Sequence, residues 1–75
     1  PTFSEQLEVL SQRLVGEKHL KLQLRHQGET VDGIWFGHTD PLPSSACIAF
    51  RMDINEWRGE RKVQFLIEGV HSDIS

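Results

Sequence analysis

The chain has 75 residues, with eight Lys and Arg against eleven Asp and Glu, giving a net charge of −3. This length makes one small domain, near the size below which a core usually needs staples, and a single cysteine, Cys47, excludes an internal disulfide. No apolar run approaches the roughly 20 residues of a membrane helix, no signal-peptide pattern opens the sequence, and one Cys without a nearby His pair gives no zinc spacing. The expectation is a soluble, cytoplasmic protein in which Cys47 is a small strand residue in a reducing compartment. An acidic balance argues against a free-standing nucleic-acid binder, so any such function must come from where the charges sit. The chain begins Pro1-Thr2-Phe3 without an initiator Met, and the expectation is a piece of a longer protein.

Residues 3–15, FSEQLEVLSQRLV, fit two patterns. Leu7, Leu10 and Leu14 make a helical stripe, whereas Leu7, Val9 and Val15 alternate around Ser11 and Arg13. The turn at Val15-Gly16-Glu17-Lys18 implies a hairpin, which selects a strand; a helix packed on a four-stranded sheet is the alternative. His19 to His26 then alternates without a fault, with Leu20, Leu22 and Leu24 inward and His19, Lys21, Gln23 and Arg25 outward. Gln27-Gly28-Glu29 is the next turn. Thr30 to His38 forms a third strand, with Ile34 and Phe36 expected inside and Trp35 on the opposite face. Gly33 and Gly37 allow a bulge or sharp bend there. The prolines of Thr39 to Ser45 mark the one irregular loop.

A fourth strand, Ala46 to Ile54, is expected to bury Ile48, Phe50, Met52 and Ile54. Asn55-Glu56-Trp57-Arg58-Gly59 breaks that alternation with turn chemistry, which sets Trp57 and Arg58 on a loop tip. The fifth strand, Arg61 to Ile67, buries Val63, Phe65 and Ile67, and Gly69 onward is expected to fray. Five short strands with sharp glycine bends favour a closed barrel, because closure removes exposed edges. The fold class expected is all-β, a five-stranded OB-fold (Greek-key barrel) over residues 1–70 with a frayed tail at 71–75, and an SH3-like barrel is the nearest competitor.

For catalysis the chain offers little. Its carboxylates are scattered, and no glycine-rich phosphate loop or nucleophile elbow is present. Gly37-His38-Thr39-Asp40 superficially suggests a metal site, but one His and one Asp fall short of a coordination sphere. For binding the pattern is stronger. Oligonucleotides cross the outer face of strands 2 and 3 of an OB-fold, between the loops joining strands 1 and 2 and strands 4 and 5. Those elements carry Lys18, His19, Lys21, Gln23 and Arg25, then Trp35, then Trp57, Arg58, Arg61 and Lys62. Six of the eight Lys and Arg residues (Lys18, Lys21, Arg25, Arg58, Arg61, Lys62) gather there, with Arg13 and Arg51 placed elsewhere. Trp35 and Trp57 are candidate stacking platforms for bases; each has an equal reading as cover for the core. Arg61 and Lys62 also fit a charged edge strand that blocks aggregation.

Taken together, Arg13-x-Val15-Gly16-x-Lys18-His19-Leu20-Lys21, Asp32-Gly33-Ile34-x-Phe36 and Phe50-Arg51-x-Asp53-Ile54-Asn55-Glu56-x-Arg58-Gly59-x-x-x-x-Gln64 closely resemble the OB-fold domain of RecJ-type single-strand-specific DNA exonucleases. The likeness covers nearly all of the chain and is poorest in the proline loop and the tail. It implies a parent protein whose separate DHH-type catalytic core removes nucleotides from the 5′ end of single-stranded DNA with manganese or magnesium, in repair and recombination. It implies no cofactor in this chain, whose Gly37-His38-Thr39-Asp40 is not one of the family's metal motifs, and no catalysis by this chain alone. Lys18, His19, Lys21, Asn55, Arg58 and Gln64 match the family motif, whereas Trp35 and Trp57 fall on its variable positions. The expected partners are single-stranded DNA, the catalytic core of the parent chain and, in the alternative reading of a docking module, that core or the acidic tail of a single-strand-binding protein.

Overall fold

The computed structural model describes residues 1–71. Five strands, β1 (Phe3–Val15), β2 (His19–His26), β3 (Glu29–Trp35), β4 (Ser45–Trp57) and β5 (Glu60–His71), close into a barrel in the order β1-β2-β3-β5-β4. The β3–β5 pairing is parallel and the other four are antiparallel. This is the OB topology expected from the strand count. The helical alternative for residues 3–15 is not what forms.

The double periodicity of the first segment has a structural cause. The β1–β2 register shifts between Val9 and Ser11, so Leu10 is an extra residue at a bulge. Leu7 and Val9 therefore point inward before it, and Gln12 and Leu14, which pair with Leu22 and Leu20, point inward after it. The apparent stripe of Leu7, Leu10 and Leu14 is thus no single face: Leu10, at the bulge, is 39% exposed.

Phe50 and Phe65 anchor the core. Both are fully buried and stack with centroids 4.2 Å apart and planes 12° off parallel. Leu7, Leu20, Leu22, Leu24, Ala46, Ile48 and Ile67 complete the interior with Leu42 from the proline loop. The loop is seated by Gln12, whose Nε2 donates to the Leu42 carbonyl (2.8 Å) while its Oε1 accepts from the Leu42 N–H (2.7 Å). The Val9 N–H also donates to the Ser44 carbonyl at 2.8 Å. Two backbone groups beside a buried leucine are thus satisfied by one amide side chain.

Three expectations need correction. On β3 the inward residues are Val31, Gly33 and Trp35, not Ile34 and Phe36; Phe36 is 61% exposed. Gly33 fits that parity: the register sets it opposite the buried Leu22, and a Cβ there would lie 2.9 Å from Leu24 Cδ1, whose side chain would have to shift to admit it. On β4 the strand does not stop at Ile54 but runs to Trp57, and the turn is reduced to Arg58 and Gly59, with φ of 53° and 78°. Two successive positive φ values match the twist of a two-residue hairpin. Met52 and Ile54, expected in the core, are 39% and 46% exposed. β3 pairs with β5 only over Gln64–Leu66 and β1 reaches β4 only as far as Phe50, so the β4–β5 hairpin projects from the barrel as a two-stranded ribbon. Finally, β5 continues through Gly69 and Val70 to His71, which pairs with Cys47. Residues 72–75, most of the expected tail, lie outside the described residues.

Candidate nucleic-acid interface

Strand register organises the outer face into lateral rows. One row runs Arg13, Lys21, Ile34, Leu66, Arg51 across all five strands, and the next runs Ser11, Gln23, Asp32, Gln64, Asp53. The first offers cations and apolar surface, and the second offers amides and two carboxylates. Ser11, Arg13, Lys21, Gln23 and Asp32 line a groove of about 270 Å³ between these rows. Lys18 stands in the turn at the head of β2, where its N–H bonds the Val15 carbonyl.

The cations are not equally free. Arg51 Nε lies 2.9 Å from Glu68, and Arg25 Nε lies 3.9 Å from Glu8. Among the described residues Arg13, Lys18 and Lys21 have no carboxylate within salt-bridge range, and neither do Arg58, Arg61 and Lys62. Two groups of uncommitted positive charge result, one on the barrel wall and one on the ribbon.

The sequence-derived site residues divide accordingly. His19, Lys21 and Gln23 share the outer face of β2, Arg25 sits on the same face at its far end, and Lys18 lies in the turn that precedes the strand. His19 is half-buried, with its Nδ1 accepting a 2.9 Å bond from the Gly37 N–H. Gln23 Oε1 accepts a weak 3.4 Å contact from Ser11 Oγ. Trp57 and Arg58 stay together at the ribbon tip, where Trp57 is 69% exposed and the guanidinium carbon sits 4.5 Å from the ring centroid. That cation–π contact holds an indole in water. Lys62, opposite Asn55, faces outward, whereas Arg61, opposite Glu56, faces the other side of the ribbon.

Trp35 is not on the outer face. It packs against the core, and His38 stacks on it at 3.5 Å with planes 2° apart. The platform expected on β3 is therefore turned inward. His38 is engaged in that stack, and among the described residues no three His, Cys, Asp or Glu side chains are placed to hold a metal ion.

Two residues were missed. Arg13, set apart in the sequence reading, pairs with Lys21 and lines the groove beside it. Counting outward from the turn would have found it, since Val15 opposite His19 puts Arg13 opposite Lys21. Phe36 was assigned to the core and is instead on the surface; the signal lay in Gly33, once taken as an inward position.

The chain matches the family model described as RecJ OB domain over residues 1–69. It is 45% identical over 76 residues to the single-stranded-DNA-specific exonuclease RecJ of Dickeya dadantii, and 38% over 77 residues to that of Escherichia coli. The Haemophilus influenzae protein of the same name is 32% identical over 77 residues. Each alignment takes 91–93% of this chain but only 13% of the relative's length. With the closed five-stranded barrel and a family match along nearly its whole length, this chain belongs to the RecJ OB domain family.

Proposed function

We propose that this domain binds single-stranded DNA and presents it to the catalytic part of a longer single-strand-specific exonuclease. The observation that carries the reading is the Arg13 and Lys21 pair, side by side on adjacent strands, uncommitted to any carboxylate among the described residues and lining one groove with Gln23. Guanidinium and ammonium groups so placed suit successive phosphates, Gln23 and Gln64 offer donors and acceptors to base edges, and Ile34 and Leu66 offer apolar contact. In this reading the domain holds the strand and cutting falls to the catalytic part. Hydrolysis from the 5′ end with manganese or magnesium, and a role in repair and recombination, belong in this proposal to the rest of the protein. A fluorescence-anisotropy titration tests the binding: weak, salt-sensitive affinity for an unpaired strand is expected from a few phosphate contacts on an acidic domain, and no binding at low salt would refute it. Incubating the chain with manganese and single-stranded DNA should leave the strand intact; degradation would refute the division of labour.

A second reading, docking against the catalytic core of the longer protein, is favoured by the ribbon. Its inward side carries Met52 and Ile54, 39% and 46% exposed, beyond the reach of the barrel. Apolar side chains on a projecting hairpin suit a protein surface better than a phosphate chain. Hydrogen exchange of the longer protein would show protection over 52–56 and 61–63 if this side is covered.

A further inference from the structure

We infer that Phe36, with His19 against it, forms the base-stacking platform of the domain, taking a nucleobase of the strand whose phosphates Arg13 and Lys21 hold. This rests on the single-stranded-DNA reading above and adds the residue that grips the bases. Among the described large apolar side chains only Trp57 is more exposed than Phe36, at 69% against 61%. Its exposure is imposed by the fold: Gly33 and Trp35 occupy the inward positions of β3, and Phe36, which follows Ile34 in parity, falls on the outer face just past the end of the strand.

The ring is nevertheless held in place. The His19 imidazole meets it at 5.2 Å with planes 74° apart, and His19 is itself tied by the Gly37 N–H to its Nδ1 at 2.9 Å. In the neutral ring this bond leaves the Nε2 position as the donor. A clamped aromatic loses little freedom when a partner stacks on it, and every base has a face to offer.

The surrounding charge favours nucleic acid over an apolar protein segment. Lys18 precedes His19, and Lys21 is the next outward residue along β2, about 7 Å further on by strand geometry. Arg13 pairs with Lys21. The carboxylates nearest in chain are Glu17 in the turn, Asp32, two outward positions back along β3, and Asp40, four residues beyond Phe36. A base on Phe36 would therefore sit beside a cationic track for its own backbone.

The test compares the chain with its Phe36→Ala, Phe36→Leu and Lys21→Ala variants, binding a short dT oligomer and an abasic oligomer of equal length at low salt. Phe36→Ala should weaken dT binding about tenfold, Phe36→Leu should weaken it nearly as much because the π-face is lost, and neither should change binding of the abasic strand. Lys21→Ala should weaken both strands alike and lower the salt slope by about 1. Unchanged dT affinity in Phe36→Ala, or equal loss on both strands, overturns the stacking role while leaving the binding reading in place. A parent chain that binds neither strand overturns both.

Discussion

The barrel wall around Lys21 and the ribbon tip around Trp57 carry similar chemistry, uncommitted cations beside an aromatic, on different mechanical footings. Lys21 lies on a row five strands wide, over Leu20 and Leu22, which are 2% and 1% exposed. Trp57 and Arg58 end a two-stranded ribbon and are held mainly by each other. Isolated two-stranded hairpins are marginal in water, so the wall is the preorganised surface and the tip the adaptable one. In the proposed reading, a DNA strand at the wall would meet groups already in place, whereas one reaching the tip would have to order it.

Stability measurements should break this comparison first if it is wrong. Phe50→Ala removes half of the central aromatic pair and should cost about 3–5 kcal/mol, enough to leave a domain this small largely unfolded in a urea titration. Gly33→Val forces a branched side chain against Leu24 and should cost about 1–3 kcal/mol by overpacking, although Val favours a strand where Gly does not. Gln12→Ala strips the N–H and carbonyl of Leu42 of their partner and should cost about 1–2 kcal/mol, with hydrogen exchange rising across the proline loop. On the wall, Arg13→Ala should lower the salt slope of binding by about 1 without changing the melting point. Trp57→Ala should alter stability by less than about 0.5 kcal/mol, because an exposed tip residue supports nothing beneath it. A large loss there would mean that the ribbon is part of the core.

What the sequence disclosed follows the same division. The five strands, their order of appearance and the inward leucines of β2 were legible because clean alternation and turn residues specify them locally. The identity of the inward face of β3 was not, since Ile34 and Phe36 are more apolar than the glycine that points inward. The register with β2 decides it, setting Val31, Gly33 and Trp35 opposite the buried Leu24, Leu22 and Leu20. Met52 and Ile54 keep the strand period of core residues but run past the end of the barrel, a matter of where β1 and β3 stop pairing. On the candidate site, His19, Lys21 and Gln23 fell together as strand parity requires, with Lys18 in the turn beside them. Arg13 joined them through the register set at the β1–β2 turn, where Val15 opposite His19 puts Arg13 opposite Lys21, and Trp35 left them for the interior.

The most direct test of the central claim is a chemical-shift map of the 15N-labelled chain titrated with a short single-stranded oligonucleotide at low salt. The account expects the largest shifts at Arg13, Lys18, Lys21, Gln23 and Phe36, with smaller ones at Trp57 and Arg58. Shifts confined to the Met52 and Ile54 side of the ribbon, or none at saturating DNA, would contradict it.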